Sequence, residues 1–151
     1  MSTPKHTHRF FFRFFSALFV FLWLSPPAGG SEIVEKDTDG DGRIDQAAHF
    51  HADGRLDRLA VDTDGDAKMD LFQHYGPEEE IVRVERDTDG DGMTETVDFF
   101  EDGKRVRHEK RGIGGRAALT VFFDENERLA RVEKDADGDG RLDTVYTYRE
   151  G

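Results

Sequence analysis

From residue 31 onward the chain alternates short apolar stretches with glycine-marked breaks at regular intervals. The apolar stretches are rich in Val, Leu, Phe, Thr and Tyr and too short for helices, so they predict strands. In one unit, Arg43 to His51 is followed by the turn Ala52-Asp53-Gly54 and then by Arg55 to Val61. Two units on, Met93 to Phe100, the turn Asp102-Gly103 and Lys104 to Glu109 repeat the plan. An Asp-Gly pair between two β-rich runs is a strong hairpin signal. The intervening unit uses Gly76-Pro77, another breaker pair, instead. Each first strand ends in a two-residue slot: His49-Phe50, His74-Tyr75, Phe99-Phe100, Phe122-Phe123 and Thr147-Tyr148. The second strands carry Leu56, Leu59 and Val61; Ile81, Val82 and Val84; Val106; and Leu129 and Val132. Residues Ile33 to Lys36 read as the second strand of an incomplete leading unit.

The hairpins are separated by an aspartate-rich loop that recurs four times: DTDGDGRID from Asp37, DTDGDAKMD from Asp62, DTDGDGMTE from Asp87 and DADGDGRLD from Asp135. The first three starts are 25 residues apart and the fourth lies 48 beyond the third, close to two periods. A decayed unit fills the gap, where KRGIGGRAA from Lys110 keeps Gly112 and Gly115 but none of the carboxylates. The array is therefore five units of about 25 residues stacked in line. The fold class expected is all-β, an antiparallel meander of ten strands with all aspartate loops along one edge and all tight turns along the other. Loops recur at every second strand, so neighbouring ones sit roughly 10 Å apart. Ten short strands twist strongly, and both a twisted open sheet and a closed barrel satisfy the pattern.

Carboxylates at the first, third, fifth and ninth places of a tight glycine turn are what a hard, coordination-flexible cation such as Ca2+ requires. Without a cation each loop crowds three or four negative charges together. Up to four Ca2+ ions are expected, and metal binding should order the loop edge cooperatively.

Composition sets the address and excludes some partners. The first thirty residues contain no Asp or Glu; Lys5, Arg9 and Arg13 precede the apolar run Phe14 to Leu24, and Pro26, Pro27, Ala28, Gly29 and Gly30 follow. That order reads as a secretory signal peptide over residues 1–30, leaving a calcium-binding β-repeat domain over 31–151 in a secreted or periplasmic setting. The alternative is an uncleaved N-terminal anchor, although Arg13 interrupts a run shorter than the roughly 20 apolar residues a span needs. No cysteine is present, so neither a disulfide nor a lipidated Cys is available. All 33 acidic residues lie beyond the leader with 18 of the 21 basic ones, a net charge of −15. Such acidity argues against nucleic acid and anionic lipid.

These segments resemble the first nine places of the EF-hand calcium loop, and equally the DxDxDG loops of thrombospondin type 3 repeats, dockerins and FG-GAP propeller blades. The stretches between loops are also similar to MORN or YD hairpin repeats, as in FFDENERL. The resemblance implies side-chain ligands at the first, third, fifth and ninth places and a main-chain carbonyl at the seventh. The implied sets are Asp37, Asp39, Asp41, Arg43 and Asp45; Asp62, Asp64, Asp66, Lys68 and Asp70; Asp87, Asp89, Asp91, Met93 and Glu95; and Asp135, Asp137, Asp139, Arg141 and Asp143. Two departures matter. The twelfth place, a bidentate Glu in an EF-hand, holds Ala48, Gln73, Asp98 and Tyr146, so only the third loop offers a carboxylate there, Asp98. Fewer ligands mean affinities nearer 10⁻⁴–10⁻³ M. The sixth place, where glycine makes the turn, is Ala67 in loop two, which should be strained and make that site the weakest.

The leading function expected is a non-enzymatic, calcium-stabilised repeat protein acting as an adhesive or partner-binding module toward a cell-surface protein or a glycan, with no stable membrane span after processing. Two alternatives carry different structures. An EF-hand-type sensor or buffer needs helices on both sides of each loop, and about 16 residues between loops leave little room for them. A calcium-dependent carbohydrate-binding or hydrolytic protein would use the slots at Phe50, Tyr75 and Tyr148 to stack on sugars. His49 and His51 share a strand, but a structural zinc site wants four ligands, and His49 occupies an aromatic packing slot. The glycines of Arg111 to Gly115 lack the Lys-Ser/Thr of a phosphate loop.

Overall fold

A computed structural model describes residues 30–148; the leader read at the N-terminus falls outside them. Its strands are β1 (Glu32–Lys36), β2 (Gln46–Phe50), β3 (Leu56–Val61), β4 (Leu71–Tyr75), β5 (Ile81–Arg86), β6 (Thr96–Glu101), β7 (Lys104–Arg111), β8 (Ala117–Phe123), β9 (Leu129–Lys134) and β10 (Thr144–Thr147). They form one ten-stranded sheet in chain order, each strand antiparallel to the next. The sheet stays open, with β1 and β10 at its two edges, and this decides between the ribbon and the barrel.

Helix-flanked loops are ruled out among the described residues. The only helical piece there is the 3-10 turn Ile113–Gly115, and a strand lies on either side of every acidic loop. The reason is local: Thr, Val, Phe and Tyr favour extended backbone, and a breaker pair sits midway between loops. First strands begin later than their sequence suggests. Asp45 and Glu95 are drawn into the loops, so Arg43 to Asp45 and Met93 to Glu95 precede the strands.

Four of the five two-residue slots are β-bulges. Register shifts fall between His49 and Phe50, His74 and Tyr75, Phe99 and Phe100, and Phe122 and Phe123. A bulge at the same place in four units strengthens the twist. The turns beyond them need left-handed backbone, supplied by Gly54 (φ 84°) in the first unit and by Glu79 (φ 61°) and Glu127 (φ 57°) elsewhere. The third unit turns in two residues, with Asp102 and Gly103 both at positive φ, as a tight two-residue hairpin requires.

Register assigns the faces. One face carries the row Ile33, His49, Arg58, His74, Arg83, Phe99, Arg107, Phe122, Arg131 and Thr147, strand by strand. Arginine therefore alternates with a ring. The Arg107 guanidinium lies 3.8 Å from the Phe99 ring centre and that of Arg131 4.3 Å from Phe122. Each such contact stabilises by about 0.5–1 kcal/mol at an exposed site. The same arginines pair within their strands, Arg83 with Glu85 at 2.9 Å, Arg107 with Glu109 at 3.3 Å and Arg131 with Glu133 at 3.0 Å. No second layer covers either face among the described residues. Among the described residues the buried apolar set is correspondingly small: Ala47, Ala48, Leu59, Ala60, Val84 and Val97, with only Val97 of these fully enclosed.

Candidate metal centres

The loops join β1 to β2, β3 to β4, β5 to β6 and β9 to β10, so all four acidic loops stand at one end of the sheet. Each closes on the same internal scheme. The first aspartate accepts main-chain N–H groups from the fourth and sixth places: Asp37 from Gly40 and Gly42 at 2.6 and 2.9 Å, Asp62 from Gly65 and Ala67 at 2.7 Å each, Asp87 from Gly90 and Gly92 at 2.8 and 2.7 Å, Asp135 from Gly138 and Gly140 at 2.7 and 2.8 Å. The third-place carboxylate accepts from the fifth N–H, as Asp39 does from Asp41 at 3.0 Å and Asp137 from Asp139 at 3.1 Å. The fifth-place carboxylate accepts from the seventh N–H: Asp41 from Arg43, Asp66 from Lys68, Asp91 from Met93 and Asp139 from Arg141.

Carboxylate oxygens converge as a result, lying within 4.8 Å of one another in four groups. The first holds Asp37, Asp39, Asp41 and Asp45, and the third Asp87, Asp89, Asp91 and Glu95. The second holds Asp62, Asp64 and Asp66, and the last Asp135, Asp137 and Asp143. These are arrangements that could hold metal ions. Asp70 stands apart from its group; it accepts from the Thr63 N–H at 3.0 Å and from the Thr63 hydroxyl, which lies 2.8 and 2.9 Å from its two oxygens. Asp139 likewise does not join the last group.

Asp98, placed with loop three by its position in the chain, goes elsewhere. It lies mid-strand in β6 at 6% exposure, and its oxygens meet His108 Nδ1 at 2.9 Å, Arg86 Nη1 at 2.9 Å and Arg105 Nη1 at 3.4 Å. Strand pairing opposite His108 spends its charge on three basic groups from β5 and β7. Burial works to raise its pKa, but the hydrogen bonds from His108 and Arg86 and the charges of His108 and Arg105 outweigh it and hold the carboxyl below the usual range.

The first-place carboxylates of loops two, three and five stay ionised for a different reason. Partial burial pushes Asp62, Asp87 and Asp135 upward, and the loop N–H groups aimed at them bring all three below the ordinary value. The Thr38 hydroxyl and N–H lower Asp45, and the Thr88 N–H and hydroxyl lower Glu95. Loop five has Ala136 at that second place, so Asp143 keeps only a main-chain donor there, at 3.2 Å. Loop two pays for its alanine, since Ala67 sits at φ 71°. Replacing Ala67 by glycine should raise stability by about 1 kcal/mol, the left-handed cost less the entropy that alanine saves. An unchanged urea midpoint would show that Ala67 is at ease there.

Consecutive loops touch. The Asp62 N–H donates to the Asp45 carbonyl at 2.8 Å and the Asp87 N–H to the Asp70 carbonyl at 2.9 Å. A cleft of about 210 Å³ between loops two and three is lined by Asp64, Asp66, Asp70, Asp87, Asp89 and Lys68, whose Nζ reaches the Gly90 carbonyl at 2.9 Å. The repeated arginines beneath the rings were the part the sequence reading missed. The available signal was Arg-x-Glu recurring at Arg83, Arg107 and Arg131.

No protein-family model matches the chain, and no match is found among curated proteins. Solved structures do match. One is the structure of accessory secretory protein 1, 2 and 3 from Streptococcus pneumoniae, at TM-score 0.56 and 16% identity over 77% of this chain and 21% of that one. Others are the glycosylation-associated Gap123 complex from Streptococcus agalactiae (TM-score 0.41, 14% identity, 82% and 22% of the two chains) and TarM (TM-score 0.39, 12% identity, 80% and 20%). This chain thus spans about a fifth of the length of those it matches. The pneumococcal match shows that the meander is shared.

Proposed function

We propose that the four acidic loops bind Ca2+ and that the protein is a non-enzymatic, calcium-stabilised β-repeat module working in a secreted or periplasmic setting. The observation that carries this reading is the fourfold recurrence of one carboxylate group, built by the same internal hydrogen bonds at one end of the sheet. Oxygen-only ligands suit a hard cation. A thin core supports a stabilising role for the metal, because ordering energy that the apolar interior lacks is supplied by binding to the folded state. The open sheet leaves two faces for a protein or glycan partner, and the matching pneumococcal chain was solved with accessory secretory proteins.

The test is a calorimetric calcium titration of the intact chain and of the double variant Asp89→Asn, Asp91→Asn. The amide oxygens preserve the loop's main-chain hydrogen bonds while two charges disappear. The variant is expected to bind one ion fewer than the parent. Equal stoichiometry would remove these residues from the ligand set, and no binding by the parent would end the reading.

A further inference from the structure

The seventh place of each loop has a side chain whose job the ligand scheme leaves open, because only its carbonyl is wanted there. In three successive seams that side chain lies against the glycine turn of the next loop. Lys68 of loop two donates from Nζ to the carbonyl of Gly90 in loop three at 2.9 Å, while staying 3.7 Å from its own Asp66. Met93 of loop three comes up to Gly115 of the degenerate fourth loop, where an added methyl group would lie 3.9 Å from its Cε. Arg116, the seventh residue of that fourth loop, covers Gly140 of loop five so closely that an added methyl would be 2.9 Å from its Nη1. At the first seam Arg43 stays over its own Asp41, 3.9 Å away.

The identity of these residues follows the charge of the loop they face. Lys68 and Arg116 face loops bearing Asp87, Asp89 and Asp91, or Asp135, Asp137 and Asp139. Met93, the uncharged one, faces the only loop with no carboxylate, where Lys110, Arg111 and Arg116 are basic. A cation at that seam would meet like charge. The matching is one of sequence with three-dimensional neighbourhood, since Lys68 and Gly90 are 22 residues apart.

We infer that the seventh-place side chains of loops two, three and four are positioning residues that tie each of these loops to the next, their charge set by the neighbouring loop, so that the basic ones, Lys68 and Arg116, serve as built-in counter-cations when metal is absent. The inference rests on the calcium reading for its metal-bound arm alone. A lysine ammonium that relieves repulsion in the empty loops helps less once a divalent ion is there. Lys68 therefore stabilises the metal-free edge more than the loaded edge, and by linkage it weakens calcium binding to loops two and three. Together with the main-chain bonds across each seam, it makes neighbouring loops sense one another's occupancy.

The experiment compares Lys68→Met, Lys68→Arg and Met93→Lys with the parent chain by thermal melting in EGTA and in saturating CaCl2, each at low and high NaCl. Lys68→Met is expected to lose several degrees in EGTA and markedly less in calcium, and its calcium midpoint should tighten about threefold. Lys68→Arg should follow the parent. Met93→Lys should lower the melting temperature at low salt, with most of the loss recovered at high salt. Equal losses for Lys68→Met in EGTA and calcium, or none in either, would overturn the inference, as would a Met93→Lys variant that is unchanged or more stable. If calcium leaves the parent's melting untouched, the calcium reading fails. The EGTA comparison then still decides the tether.

Discussion

Raising calcium from zero to about 10 mM should lift the melting temperature of the metal-free protein by roughly 20 °C. The size follows from mass action. Sites with dissociation constants near 1 mM, the weak end set by incomplete ligand shells, each add about 1.4 kcal/mol when the ion is tenfold above that constant. Four of them approach 5–6 kcal/mol, comparable to the whole stability of a small domain. For a folded region of this size one kcal/mol moves the midpoint by about 4 °C. The geometry adds a ranking. Loops one and three gather four carboxylates each, and loops two and five gather three, so the first half of the rise should come at lower calcium than the second. Differential scanning calorimetry across a calcium series measures both. A midpoint that does not move with calcium removes the metal from the account of stability, whatever the loops look like.

Asp98→Ala should cost about 3 kcal/mol in calcium and in EGTA alike. The substitution strands three basic groups that converge on one buried carboxylate. Losing one partner of such a pair is expensive because the remaining charges keep their desolvation and lose their compensation. Arg86 and Arg105 are 45% and 42% exposed as side chains, so water softens the loss and holds it at the low end of that range. Independence from calcium is the decisive feature, since a ligand of loop three would lose its effect in EGTA. The pH dependence has a definite sign. The folded carboxyl of Asp98 is held below its usual value, so its contribution is complete above the unfolded pKa of about 3.9 and disappears as pH falls through the folded one. Asp62, Asp87 and Asp135 are lowered too, and their contributions vanish in the same acid window. Chemical denaturation of Asp98→Ala and the parent should therefore differ at pH 7 and converge in strong acid. A difference that persisted unchanged in acid would assign the loss to packing.

Strand positions, hairpin turns and loop spacing were readable because each depends on neighbours within a few residues. The Asp102-Gly103 pair makes its own turn, and Asp37 is bound by N–H groups three and five residues on. The 48-residue gap between Asp87 and Asp135, close to two periods, by itself marks the place of the degenerate fourth loop. Asp98 was misplaced for the converse reason. Its twelfth place in an EF-hand-like loop says nothing about which face of β6 it occupies, and there the pairing with His108 on β7 governs. The strand starts were set too early in the first and third units because Asp45 and Glu95 bond back to Thr38 and Thr88, seven residues away.

What the chain's order of residues determined alone was the repeating unit: two extended segments, a tight turn and an acidic loop, all fixed by backbone preferences and short-range hydrogen bonds. Tertiary structure decided how the units add. It left the sheet open, and it stacked Arg107 on Phe99 and Arg131 on Phe122. It also buried Asp98 among basic side chains and laid Lys68 across to the following loop. Those outcomes depend on twist and on register between strands, which bring together groups seven to twenty-two residues apart, and no local preference encodes that sum.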